Sequence, residues 1–193
     1  MDVPSRKRLT RADWVRAGLV ALTTRGPDAV AIEPLAAALG ASKGSGYWHF
    51  ANRHDLLVTV LELWRQTHTV DVIARVESAG GDPRERLRQL LTVVSTSALD
   101  SPGELLVIGS HDETVRSVVE ECVMTRIGYV EQLLQEAGVA PWEARSRAVL
   151  AYSAYLGHAT LAATTPQALP RSAADRRRMQ RGMMRLALPE GDG

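Results

Sequence analysis

Residues 32–50 read IEPLAAALGASKGSGYWHF, and this stretch decides the fold. Leu35, Ala36 and Leu39 give an apolar stripe at i, i+1 and i+4, the spacing of a short helix. Gly40 ends it, because glycine enters the left-handed C-cap conformation at little cost. Ser42 is an N-cap for a second helix, its hydroxyl free to accept from the backbone N–H of Ser45. That second helix is about two turns long. It is poor in apolar residues and carries Lys43, Ser45, Tyr47, Trp48 and His49. A short polar helix held by a tight turn against an apolar one is the form of a helix-turn-helix.

In that form the second helix is the one that reads DNA. The stretch from Thr10 to Trp64 resembles the DNA-binding head of the TetR/AcrR family of transcriptional regulators. The residues that carry the resemblance are Ser42-Lys43-Gly44, Tyr47-Trp48-His49-Phe50 and Asn52-Arg53-His54-Asp55-Leu56-Leu57. Upstream, Arg25-Gly26, Ala29-Val30 and Leu35-Ala36 fall at the family's spacings. The resemblance implies an all-α fold of about nine helices. A head and N-terminal arm over residues 1–55 would bind DNA. A helical body over 56–193 would bind an effector and dimerise. It further implies DNA contact by Ser42, Lys43, Gly44, Ser45, Tyr47, Trp48, His49 and Arg53.

Two positions depart from the family. Ala31 stands where the family has Thr or Ser, and it can neither cap the helix nor touch a phosphate. Gly46 stands where the family has an aliphatic residue facing the head's core. Gly44 and Gly46 weaken the reading helix by about 1 kcal/mol each relative to Ala. Trp14 is larger than the aliphatic usual at its position, so the indole is expected to fill the space Gly46 leaves.

Upstream, residues 1–9 form an arm whose Arg6-Lys7-Arg8 either reaches DNA or is a solvated basic tail. Helix one begins at Thr10, with Asp13 at capping-box spacing, and stops at Gly26. Downstream, Asn52 caps a helix with the apolar stripe Leu56, Leu57, Val60, Leu61 and Trp64. That helix is expected to run on as a rod into the body, to Gly80-Gly81. Asp82-Pro83-Arg84-Glu85 and Ser101-Pro102-Gly103-Glu104 are start signals for two more helices. A long helix with Val115, Val119, Cys122, Ile127, Val130 and Leu134 ends at Gly138, and Pro141 opens the next. From Ala148 to Pro170 there is no Asp, Glu, Lys or Arg. Its many Ala, Ser, Thr and Gly residues, with His158 among them, read as a buried interface helix and not a membrane span.

Composition agrees with this plan. The chain has 193 residues, 45% hydrophobic and 23% charged, with a net charge of +1. Residues 1–55 hold eight Lys/Arg against five Asp/Glu, leaving 15 against 17 in the rest. A mildly basic head sits on a mildly acidic body. A single cysteine, Cys122, excludes a disulfide framework and agrees with a cytoplasmic location. No signal-peptide core follows the basic start.

Enzymatic constellations are poor. Cys122 lies in an apolar helical stripe, and the five histidines lack metal-ligand spacing. No cofactor, metal or catalytic residue is expected. Trp64, His68, His111, Tyr129, Tyr152, Tyr155 and His158 are candidates for an effector cavity. Ala148, Tyr152, Tyr155, Leu156, Ala159, Met179 and Met183 are candidates for a dimer face on the last two long helices. The expectation is a homodimeric repressor that binds a palindromic operator in double-stranded DNA and is released by a small molecule. The rivals are a regulator without an effector, and a helical enzyme or interaction module with an idle head.

Overall fold

The computed structural model describes residues 9–100, 103–170 and 172–188, and among them it is all α-helical. The Arg6-Lys7-Arg8 run and the Ser101-Pro102 start signal lie outside the described residues. Three helices and the start of a fourth make the head: α1 (Arg11–Arg25), α2 (Ile32–Leu39), α3 (Lys43–His49) and α4 (Arg53–Arg65). Each begins where a side chain can satisfy free N–H groups, apart from α2. Thr10 and Asp13 form a reciprocal capping box at α1. Ser42 accepts from Ser45 N–H at 3.3 Å, and Asn52 accepts from Asp55 N–H at 3.0 Å. At α2, Ala31 makes no side-chain cap. Gly40 takes the left-handed conformation (φ +62°), which lets Ala41 N–H return to Ala36 O at 2.8 Å and turns the chain sharply into α3.

The head closes around large side chains. Trp14, Leu22, Ile32, Leu35, Phe50, Leu56, Leu57, Val60, Leu61 and Trp64 are all essentially inaccessible to solvent. Each such side chain contributes roughly 1.5–3 kcal/mol of burial energy. The Trp14 indole does fill the Gly46 space. A Cβ on Gly46 would meet Trp14 Cη2 at 2.8 Å and Ile32 Cγ2 at 2.6 Å. On α1, a Cβ on Gly18 would meet Val60 Cγ2 at 2.4 Å, so α1 and α4 approach as closely as glycine allows.

The rod expected from Asn52 to Gly80 is present, but it is not one regular helix. After α4 comes a π-turn at Gln66–Val70 and then α5 (Asp71–Ala79). Within it Thr67 Oγ1 bonds Leu63 O at 2.8 Å, and His68 Nδ1 lies 3.2 Å from Trp64 O. Counted as one rod, the α-helices among the described residues number nine, and counted apart they number ten.

The body holds α6 (Pro83–Asp100), α7 (Glu104–Ile108), α8 (Glu113–Glu136), α9 (Pro141–Thr164) and α10 (Ala173–Ala187). One apolar cluster joins the head to Val107, Val115, Val119 and Cys122 of the body. A second joins Val76, Leu87, Leu133, Leu134, Ala148 and Leu188. Packing is thus continuous across residue 55.

The uncharged stretch of α9, from Ala148 to its end, has two sides. Ala148, Tyr155 and Ala159, expected at a dimer face, are buried inside their own protomer. Tyr152, Leu156, Met179 and Met183 are only partly covered. Val149, Leu150, Ser153, Gly157 and Leu161 face outward instead, with Leu150 at 65% exposure. A stretch without charge is wide enough for both faces, so composition could not say which side points where. No helix among the described residues is long and apolar enough to cross a membrane.

Candidate nucleic-acid interface and body cavity

On α3 the buried position is Gly46, which leaves the helix lying close on Trp14 and Ile32 with its other residues outward. Tyr47 is 50% and Trp48 70% exposed, and Ser42, Lys43 and Gly44 are also exposed. Ser45 and His49 are half-buried. Glu33 of α2 faces two of these residues. Lys43 Nζ lies 3.7 Å from its carboxylate, and the Tyr47 hydroxyl donates to it at 3.3 Å. Glu33 consequently raises the Tyr47 pKa above its ordinary value. His49 Nε2 is 3.2 Å from Leu9 O, which ties the end of α3 to the chain preceding α1.

Arg53 lies differently. Its guanidinium donates to Pro27 O at 3.0 Å and lies 3.7 Å from Asp28 and 3.9 Å from Asp112. Asp112 caps α8, accepting from Thr114 N–H at 3.0 Å. Arg53 therefore bridges the loop after α1 to the first turn of a body helix, a partnership that neighbouring residues in sequence do not reveal.

The body encloses a cavity of about 370 Å³ between the π-turn, α5, α6, α8 and α9. Its walls are mostly aliphatic, including Val72, Ile73, Leu87, Leu90, Val94 and Ala151. His68, Tyr129 and Tyr152, expected at such a cavity, do line it. Trp64 does not. It is fully buried and stacks behind His68 at 5.8 Å between ring centroids. Nor does His111, which sits exposed in the loop before α8. Tyr155, expected at the cavity as well as at the dimer face, joins the lining, whereas His158 is buried outside it.

One end of the cavity is polar, and its centre is a buried ion pair between Arg126 of α8 and Glu104 of α7. Arg126 Nε also donates to Thr69 Oγ1 at 3.0 Å and its Nη2 to His68 O at 3.1 Å. Its guanidinium lies 5.5 Å from the Trp64 ring centre. The other carboxylate oxygen of Glu104 accepts from the Tyr155 hydroxyl. Burial raises the Tyr155 pKa, with Glu104 adding to it, and lowers that of His68, so both are neutral near pH 7. At the opposite side Tyr129 donates to Glu77, which also pairs with Arg86 at 3.0 Å.

Sequence reading passed over Glu104, Arg126 and Thr69. One signal existed. Arg126 interrupts the α8 stripe four residues after Cys122 and four before Val130, so it shares their inward face. A lone charge there requires a buried partner. Nothing in the sequence named Glu104 as that partner. Among the described residues, no three or more His, Cys, Asp or Glu side chains come together as a metal site.

An apolar α2, a sharp turn at Gly40 and an outward α3 make a helix-turn-helix head on a cavity-bearing helical body. Residues 15–60 match the model of the bacterial regulatory proteins, tetR family. Residues 15–60 thus carry a helix-turn-helix head of that family. Solved structures share its fold across nearly the whole length. A TetR-like regulator from Rhodococcus sp. RHA1 is 18% identical with a TM-score of 0.71, over 95% of this chain and 96% of its own. A TetR regulator from Legionella pneumophila is 15% identical with a TM-score of 0.70, over 95% and 97%. AibR, in complex with isovaleryl coenzyme A and operator DNA, is 18% identical with a TM-score of 0.66, over 94% and 99%. No curated protein matches the chain by sequence.

Proposed function

We propose that this regulator is a homodimeric repressor that works in the cytoplasm, binds a palindromic operator and is released by a small molecule. Residues 1–55 are its DNA-binding part, and 56–193 its effector-binding and dimerisation part. The observation that carries the reading is α3, which turns Lys43, Tyr47 and Trp48 outward while Gly46 seats it against Trp14. Ser42, Gly44 and Ser45 at the start of α3 lie close to the DNA. Lys43 reaches a base edge or phosphate, and Tyr47 and His49 donate to phosphates. Glu33 must release Lys43 and Tyr47 on binding. Arg53 contributes by holding the head to α8 more than by touching DNA, which the contacts to Pro27, Asp28 and Asp112 support.

Two short reading helices are needed for tight specific binding, hence a two-fold dimer. The outward side of α9, with Val149, Leu150, Ser153, Gly157 and Leu161, is the dimer face, flanked by Met183 of α10. Its small residues permit close approach of a second copy. The effector sits in the cavity lined by His68, Tyr129, Tyr152 and Tyr155. A fold relative whose structure holds both an acyl coenzyme A and operator DNA lends this support. A gel shift on the promoter of the protein's own gene tests it. Affinity should fall steeply with salt, as counterion release requires. Equal binding to random duplex would overturn the reading. Leu150→Glu should give monomers by light scattering and lose the operator complex, whereas a dimeric, DNA-competent variant would move the interface elsewhere.

A further inference from the structure

The effector reading names a cavity but not a ligand, and the polar end of that cavity constrains the ligand's chemistry. Its two buried charges already neutralise each other. Arg126 donates to Glu104, Thr69 and His68 O, and Glu104 accepts from Arg126 and Tyr155. A ligand carboxylate entering here would meet Glu104 with no unpaired cation to offset it. A ligand ammonium would meet Arg126 in the same way. Either ion loses its hydration without a free counter-charge. Arg75, the other charged residue of the lining, is solvent-exposed, where water screens it.

Two neutral lining groups have hydrogen-bonding capacity to spare. The Tyr152 hydroxyl is buried and has no hydrogen-bond partner. It lies near the Arg126 guanidinium, which can only donate, so the Tyr152 proton still lacks an acceptor. His68 is the second group. Its Nδ1 faces Trp64 O at 3.2 Å and the Thr67 hydroxyl at 2.8 Å. The Thr67 proton is directed to Leu63 O, so Nδ1 carries the ring hydrogen and Nε2 of the neutral ring is an acceptor. Tyr152 and His68 thus offer the cavity one donor and one acceptor, among aliphatic walls.

We propose, building on the effector reading, that the cavity takes an uncharged, mainly apolar molecule bearing one group that both accepts and donates a hydrogen bond, an alcohol or an amide. Tyr152 O–H donates to that group and His68 Nε2 accepts from it. The apolar remainder lies along Val72, Ile73, Leu90 and Val94.

Calorimetry on the full chain at pH 7.5 with four eight-carbon probes tests this: 1-octanol, octanamide, octanoate and octylamine, the last a cation at that pH. Octanol and octanamide should bind at least tenfold more tightly than the two ions. Tyr152→Phe keeps the ring and should weaken octanamide about fivefold to tenfold, the worth of one hydrogen bond. Ala151→Phe fills the cavity and should abolish binding of all four, which separates cavity binding from adsorption. Octanoate binding as tightly as octanamide would overturn the proposal, as would an unchanged affinity in Tyr152→Phe or no binding by either neutral probe. A gel shift separates the two readings. Neutral probes that bind without freeing the operator would sink effector release and leave the cavity chemistry standing. Octanoate alone binding and freeing the operator would do the reverse.

Discussion

The head and the body of this protein solve opposite packing problems with the same helices. In the head, two glycines let neighbours approach until a single added carbon would overlap, at Gly18 against Val60 and at Gly46 against Trp14 and Ile32. Aromatic rings occupy the centre, and the polar groups of α3 lie outside. In the body, small and branched residues such as Val72, Val94 and Ala151 line a cavity of about 370 Å³. An ion pair is buried at its polar end. A close-packed unit moves as one piece, because filled cores are not continuously deformable. A cavity with a buried polar cluster can rearrange around a ligand. The contrast sets a close-packed region beside a hollow one in a single chain, with the π-turn and α7 between them.

The largest expected effect tests the body. Arg126→Met leaves the Glu104 carboxylate buried without its cation. Removing one partner of a buried pair costs about 3–5 kcal/mol. Urea denaturation should show a loss of that size, and a loss below about 1 kcal/mol would mean the pair is wetter than its burial indicates.

Next comes the seam between the two regions. Gly103 precedes α7, and a Cβ there would fall 1.3 Å from Thr23 O of α1. A backbone oxygen cannot rotate away as a side chain can. Gly103→Ala should therefore push α7 off the head, at a cost up to about 3 kcal/mol. Thermal melts read this directly. A wild-type melting temperature would show that α7 and α1 slide freely.

In the head, Trp14→Ile alone should destabilise by opening a void beside Gly46. Adding Gly46→Leu should recover part of the loss. The interaction energy in a double-mutant cycle should lie at about 1 kcal/mol or more. Strict additivity would break the picture of a head filled by one indole.

The smallest effect is a pH dependence of the body. Burial depresses the His68 pKa, Glu104 raises it less, and Arg126 lowers it further. A His held neutral in the folded state binds its proton more readily when unfolded. Stability is therefore full above the unfolded value near 6.5 and declines as pH falls below it. His68→Gln should flatten the urea midpoint between pH 7 and pH 5 relative to the parent. The same slope in both proteins would assign the acid sensitivity elsewhere.

Local signals alone determined the helix starts and stops. Thr10, Ser42, Asn52, Gly26 and Gly40 act through hydrogen bonds three or four residues away, so their consequences are written in the neighbouring letters. The head's family followed from the same short stretch, as did the coupling of Trp14 to Gly46. What tertiary structure decided are contacts between residues far apart in sequence. Glu104 and Arg126 meet across 22 residues, and Arg53 at the start of α4 meets Asp112 at the start of α8. Tyr155 turns into its own cavity, leaving Leu150 outward, because the body packs against one side of the α9 stretch from Ala148 onward, whose two faces are equally free of charge. Hydrophobic pattern states how much of a helix is covered, and only the neighbouring helices decide which of two similar faces is covered by the protein itself.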